Sequence, residues 1–494
     1  MMRLLTIALM MLTAAATAAE GTLRVGLVAF PPAGADPRKS VSAIGAYTWS
    51  PMLEALTAFS EKSELMPELA VSWGAPTPLT WVVKLRPNVQ FSNGTPMDAA
   101  AVAANIAWLL TPDGRTSVVA RSIDSISGVK VIDPLTVEIS TKTPNAILPR
   151  ELSALYIVEP QQWQSLGPDG FAKQPIGTGS FMLESWGPTR ISYVANPRAW
   201  RPPKLARLEL LNLPDLTPRT NAFVTGRIDA VMGMGPDEQP QIEAVGGRLH
   251  RRAPMDVMSI VFIIGEGKPA DDLRVRQALN YAVNKEAITK ILLHDLTIPA
   301  SQGAVHGLFG YDDTLKPYPY DPAKARALLK EAGFEKGFTL NTEIIISQNA
   351  NDAAAYQMIA NDLAAVGVKM TLTPIPLPQM MKIVNAGEWR GDSFSQIWGA
   401  IPTFDPLRTL RLHTCLWAKP WYCEKTSTAK LQAALAEFDT AKREAMIKDL
   451  MRYYHDQATA LFLYELPVLD AVSKRVRNYD PQRSRINYES ITVD

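Results

Sequence analysis

Cysteine is almost absent from this chain of 494 residues, which has only Cys415 and Cys423. With no second pair of soft ligands in view, a cysteine-rich metal module is not supported. Histidine is nearly as scarce. His250, His294, His306, His413 and His455 lie far apart and form no i, i+4 pair on one helix. There is no His-Glu-x-x-His, no Gly-x-Ser-x-Gly and no Walker loop, so the common local signatures of catalysis are missing. An excess of one charge is missing too: 50 basic against 49 acidic residues leave a net charge of +1. Neither a nucleic-acid partner nor an acidic surface is called for. No tandem repeat, coiled coil or low-complexity tract interrupts the chain.

What is present is the ordinary composition of a protein with core enough for two or three lobes, 47% hydrophobic and 20% charged. Met1 to Ala19 carries Arg3, an apolar run from Leu4 to Leu12 and small residues ending in Ala16-Thr17-Ala18, the pattern of a cleaved secretory signal. This segment is too short for a stable bilayer span. No Cys lies near the cleavage region, so a lipid anchor there is not indicated. The expected compartment is the periplasm or an equivalent extracytoplasmic space. In such an oxidising place Cys415 and Cys423 most simply close one small disulfide loop. The alternative is a metal site with His413 as the nearest further ligand.

The most ordered stretch of sequence runs from Thr80 to Leu110. Trp81, Val83 and Leu85 alternate with Thr80, Val82 and Lys84, as in a half-buried strand. Pro87 ends the ladder, Ser92-Asn93-Gly94 supplies a turn and Asp98 stands where a helix N-cap belongs. Val102, Ile106, Leu109 and Leu110 then make one apolar stripe. Further on, Gly21–Phe30 reads as a strand, 42–56 as a helix, and Val129–Ile132 with Leu135–Ser140 as a hairpin about Asp133-Pro134. Gly177-Thr178-Gly179 lacks the following Gly and Lys of a nucleotide cradle and reads as backbone kinks. After a strand at 205–213, Thr217 with Pro218 is expected to cap a helix that Gly226 closes before Ile228–Val231.

Asp271–Leu293 reads as two helices, with Val275, Leu279, Ala282 and Val283 on one apolar face and Ile288, Ile291 and Leu292 on another. Arg274 and Arg276 are read as partners of nearby acids, with anion binding as the alternative. Asp321, Pro322 and Gly333 bracket a helix. Strands at 338–346 and 368–374 flank a helix at 351–366, a right-handed βαβ unit. A helix at 439–455 and an apolar return at 460–469 close the pattern. Asp271-Asp272 and Asp312-Asp313 sit at helix starts or turns, where capping explains them. The eleven Trp and fourteen Tyr are read mostly as scattered core and surface residues, some of them available to line a groove.

The strand end, aromatic, Ser-Asn-Gly turn, Thr-Pro and helix of 85–110 resemble the signature of the family 5 solute-binding proteins of ABC importers. Leu65–Trp73, Pro175–Phe181, Asp271–Leu293 and Tyr320–Phe334 resemble the same family in the same order. The fold this implies is α/β, a two-lobed periplasmic binding protein of type II with an extra domain in the first lobe. The expected division is 1–19 signal peptide, 20–62 and 175–255 first lobe, 63–174 additional domain, 256–468 second lobe and 469–494 return to the first lobe. Hinges are expected near 255–265 and 463–470.

The resemblance implies a receptor that is no enzyme and has no cofactor. It captures a peptide or peptide-like solute in the cleft and delivers it to an inner-membrane permease with a cytoplasmic ATPase. A metal chelate, opine or glycoside is the alternative solute, and a monomer is expected. The cleft is expected at the loop after the first strand and at Ile397–Pro406. Contacts are expected from Tyr47, Trp398, Phe404 and Arg408, with Arg408 or Arg411 pairing a carboxylate or phosphate. On that basis Trp398→Ala should weaken binding by about 1 kcal/mol or more and leave folding intact.

Dipeptide receptors of the family hold the ligand's amino group with an acid before the Asp-Pro of this run, and its carboxylate with an Arg near the preceding strand end. Gly399–Phe404 contains no acid and Pro374–Met381 no Arg. Phe91–Gly94, Leu279–Lys285 and Trp398-Gly399-Ala400 look closest to the nickel branch. Thr116, Val119 and Ser153 stand where that branch has its arginines and Trp, so nickel is not carried over. A secreted hydrolase is the rival class and needs two acids with separated pKa values. A periplasmic chaperone or sensor on the same fold is a third reading.

Overall fold

Alternation and capping set the elements much as the sequence suggests. In the computed structural model, which describes residues 20–265, 267–345, 351–483 and 485–494, Thr80–Leu85 is a strand that buries Trp81, Val83 and Leu85. Asp98 accepts a hydrogen bond from the Ala101 amide, 3.0 Å away, and starts the helix Ala99–Leu110. Gly94 turns with φ 91°, a conformation only glycine adopts freely. Thr80–Leu85 is an inner strand of a four-stranded sheet in the order Ala70–Thr77, Thr80–Leu85, Thr136–Thr141, Ile126–Asp133. That sheet and the helix Ala99–Leu110 share one apolar core.

Two larger sheets carry the rest. A seven-stranded sheet has the order Phe181–Trp186, Arg190–Ala195, Arg207–Asn212, Thr22–Leu27, Ala230–Met232, Val468–Val472, Arg248–Arg252. Thr22–Leu27 pairs in parallel with both Arg207–Asn212 and Ala230–Met232, so Arg207–Met232 is a βαβ unit around the helix Leu216–Val224. A five-stranded sheet has the order Val368–Pro374, Phe338–Ile344, Ser393–Gly399, Asp256–Phe262, Ala460–Glu465. Its helix Asp352–Ala364 crosses between the parallel strands Phe338–Ile344 and Val368–Pro374. The chain passes between the sheets twice at their edges, from Arg252 to Asp256 and from Glu465 to Val468.

The differences from expectation have local causes. The helix expected over 42–56 spans only Ala43–Trp49. Beyond it the apolar run pairs as strands, Glu54–Ala55 with Tyr156–Ile157 and Thr57–Phe59 with Leu65–Pro67. Asp215, not Thr217, is the N-cap residue of Leu216–Val224, and Pro218 lies inside its first turn. Ile291 is 62% exposed, because Lys285–Leu292 buries Ile288 and turns Ile291 outward. The end of the strand expected over 338–346 lies outside the described residues. Gly177 stands where a Cβ would collide with the Met52 carbonyl oxygen, so close backbone packing at this crossing requires glycine there.

Candidate functional site

Ladder registers fix which edges of the two main sheets meet. Arg252, the last residue of its strand, pairs with Val468, and Asp470 pairs with Met232, the last residue of Ala230–Met232. Asp256, the first residue of its strand, pairs with Gly399, the last of Ser393–Gly399. Both sheets therefore turn the carboxyl ends of their parallel strands towards the crossovers. In open α/β sheets that edge is where ligands bind.

One flank of this space is an open crevice of about 730 Å³. Val28, Leu216, Arg219 and Met234 line it from the seven-stranded sheet, and Leu293 and Tyr464 from the five-stranded one. Arg219 donates to the Leu213, Pro214 and Gly233 carbonyl oxygens at 2.6–2.8 Å, which ties together the ends of two strands. Its Nε is buried and has no partner. His294 Nε2 lies 3.1 Å from Asp237 Oδ1 and joins the two sides at the surface.

The opposite flank is closed by charge. Arg150, beside the four-stranded sheet, donates to the Thr403 and Phe404 carbonyl oxygens at 2.9 and 2.7 Å and to Ser63 O at 3.1 Å. Its Nε is 3.9 Å from Asp405, whose carboxylate is fully buried and also pairs with Arg443 at 2.5 Å. Asp405 caps Pro406–Leu412 through the Leu407 amide as well. Burial lowers the Arg150 pKa to about 10, with Asp405 pulling the other way. Phe404 takes φ 46°, a left-handed conformation rare for an aromatic residue, and its carbonyl is one of those Arg150 holds.

Two carboxyl groups near this flank form no ion pair among the described residues. Burial pushes Glu151 up to about 8, against the Asn145 amide 2.8 Å away and the more distant Arg408 and Arg411. Burial pushes Asp256 up to about 7 at the crossover, with Arg483 opposing. Among the described residues no group of three or more His, Cys, Asp and Glu could hold a metal ion.

Of the residues expected in the cleft, Trp398 and Phe404 are core residues of the five-stranded-sheet side, and Arg408 is half-buried beside them in sequence. Trp398 is 1% exposed, lies face to face with His413 at 3.7 Å and donates to Ser259 Oγ at 2.9 Å. Gly303 lies so close to its ring that any side chain would collide with it. Phe404 is fully buried in the same apolar core, with Phe59 edge-on at 4.9 Å. Arg408 is half-buried, donates to the Ile401 carbonyl oxygen and has its pKa lowered by burial, with Glu151 opposing. Tyr47 stands apart in the core of the seven-stranded sheet, where its hydroxyl accepts from Arg252 at 2.8 Å. Arg411 is 3.8 Å from Asp124 at the surface.

Cys415 and Cys423 form a disulfide. Arg274 binds Asp272, as expected, whereas Arg276 donates to the Gln457, Ala270 and Asp271 carbonyl oxygens. Arg150, Glu151, Arg219, Asp256 and Arg443 carry no sequence signal of their own. The Thr403 and Phe404 partners of Arg150 lie about 250 residues away, and no spacing rule reaches that far.

Two α/β lobes joined by two crossovers around a crevice are the architecture of a two-lobed solute-binding protein. The profile of bacterial extracellular solute-binding proteins, family 5, matches residues 64–414, and the chain belongs to that family. It is 29% identical over 423 residues to the glutathione-binding protein GsiB of Salmonella paratyphi A, covering 81% of this chain and 80% of that one. Two solved structures share the fold. NikA from Brucella suis, in complex with Fe(III)-EDTA, has a TM-score of 0.83 at 24% identity, over 96% of this chain and 100% of that chain. The periplasmic binding protein DppA from Helicobacter pylori, in complex with the peptide STSA, has 0.81 at 21%, over 96% and 98%. Among the described residues no helix is long and apolar enough to cross a membrane.

Proposed function

We propose that this chain is the periplasmic receptor of an ABC importer and that it closes its two lobes on a peptide or peptide-like solute. The observation that carries the reading is the Arg150 clasp. A buried cation beside the four-stranded sheet holds the Thr403 and Phe404 carbonyl oxygens and faces Asp405 next to the five-stranded sheet. Such a contact exists only when the lobes are together. Closure around a ligand excludes water, and the permease reads the closed form. The glutathione-binding relatives favour a small peptide with more than one carboxylate.

Arg408 and Arg219 are the cations proposed to meet those carboxylates, and Glu151 the group proposed to meet an ammonium. Trp398 and Phe404 back this wall as fully buried rings, and Tyr47 positions Arg252 at the crossover. The proposal includes export by cleavage of the first 19 residues, a monomeric state and delivery to a membrane permease with its ATPase. It also keeps the division into first lobe (20–62, 175–255, 469–494), additional domain (63–174) and second lobe (256–468), which the membership of the three sheets supports.

A thermal-shift panel of the mature protein with reduced glutathione, di- to pentapeptides, nickel with histidine, opines and oligosaccharides tests it. A solute at 100 times its dissociation constant adds about 2.7 kcal/mol to the folded state. A shift with peptides, and recovery of the peptide uncleaved, is the expected result. Turnover of any panel member would instead favour the hydrolase. Loss of uptake on deletion separates the receptor from a chaperone or sensor.

A further inference from the structure

Outside the interlobe space the first lobe has a second cavity, of about 430 Å³, between the helices Ala99–Leu110 and Pro160–Phe171. Arg38 and Asn105 form part of its wall with Trp108, Val158, Trp163 and Gln164, and no residue of the five-stranded sheet or its helices lines it. Arg38 is 2% exposed. Its guanidinium lies 5.6 Å from the Trp108 ring and 5.5 Å from the Trp163 ring. Nη2 donates to Asn105 Oδ1, but Nε and Nη1 are buried without a partner, and so is Trp163 Nε1.

The acceptors that face Arg38 are already engaged, and the one buried acceptor without a partner on the neighbouring helix turn, Gln162 Oε1, does not line the cavity. Asn105 Oδ1 also accepts from the Val158 amide, and its Nδ2 donates to the Ala101 and Val158 carbonyl oxygens. Asp36 accepts from the Arg38 backbone amide at 2.9 Å and pairs with Lys39 at 3.5 Å, which in turn reaches Asp169 at 3.0 Å. Buried polar groups in folded proteins are nearly always satisfied, so three orphan donors on the side chains of one cavity point to an absent acceptor. Among the lining side chains the buried polar atoms without partners are all donors.

We propose that this groove is a second binding site, for a small carboxylate with an apolar or aromatic body. The carboxylate is acceptor-only and matches the Arg38 and Trp163 donors. The body lies against the two indole rings. A cation is repelled by Arg38, and a sugar brings donors that find no acceptor.

The test is a titration of the full mature chain with sodium benzoate, followed through the ¹⁵N-indole resonances of Trp108, Trp163 and Trp398 and assigned with Trp→Phe variants. Saturable shifts at Trp108 and Trp163, none at Trp398, and none with benzylamine are expected. Ala104→Trp, an exposed position on the groove that leaves Arg38 in place, should weaken benzoate by about tenfold or more, about 1.4 kcal/mol. Still resonances throughout, equal shifts with benzylamine, or full binding by Ala104→Trp would overturn the proposal and leave water as the partner of the three donors.

Discussion

The two flanks of the interlobe space are built on opposite principles. On the side of the four-stranded sheet, Arg150, Asp405 and Arg443 lock together with the Thr403 and Phe404 carbonyl oxygens, beside a smaller opening of about 360 Å³ that Arg150 lines with Ser63, Phe309 and Tyr311. On the side of the helix Leu216–Val224, the lobes meet across an open crevice of about 730 Å³, whose cation Arg219 grips only backbone oxygens. On the proposed reading, charge holds the closed form and open volume sets what it can hold. Substitutions in the Arg150–Asp405–Arg443 lock should act on stability and closure, those around the crevice on affinity.

The largest expected effect comes from Asp405→Ala, which strands two buried arginines. Removing one partner of a buried pair costs about 3–5 kcal/mol, and equilibrium unfolding in urea measures it. Cys423→Ser comes next. The loop closed by residues eight apart contributes about 2–3 kcal/mol on the chain-entropy model, and calorimetry with and without reductant shows it.

Glu151→Gln is a smaller, pH-dependent change. The Glu151 carboxyl is raised from 4.5 to about 8, so the folded form binds its proton more tightly than the unfolded chain. Its cost is absent below pH 4.5, grows as pH rises through the window and levels off above 8. The native protein should lose stability from pH 5 to 8 relative to Glu151→Gln, and melting curves at both values decide it. Leu216→Trp, which fills the crevice from its half-buried rim, should leave the melting temperature nearly unchanged and weaken solute binding by about tenfold. An equal loss of stability and affinity in Asp405→Ala and Leu216→Trp would erase the contrast between the flanks.

The fold was legible wherever local physics decides it. Asp98 and Asp321 cap the helices they were expected to cap, and the strands Thr80–Leu85 and Val368–Pro374 have the expected bounds. Legibility failed where a tertiary partner overrides propensity. The run after Trp49 pairs with Tyr156–Ile157 rather than extending a helix, because a strand partner about 100 residues away buries it better. The site was legible only as a neighbourhood. The family resemblance points to Ile397–Pro406, but the charged groups that bind it, Arg150 and Arg443, lie far off in the sequence. The expectation that Trp398→Ala spares folding also changes. A ring 1% exposed and packed on His413 and Phe462 leaves a cavity when removed, at about 3–5 kcal/mol.

Closure on a solute is the central claim, and small-angle X-ray scattering with and without the solute chosen by the thermal-shift panel tests it most directly. The native protein should contract on binding, and Arg150→Ala should be larger when free and need more solute to contract. Identical scattering curves for the free and the saturated native protein would contradict the account.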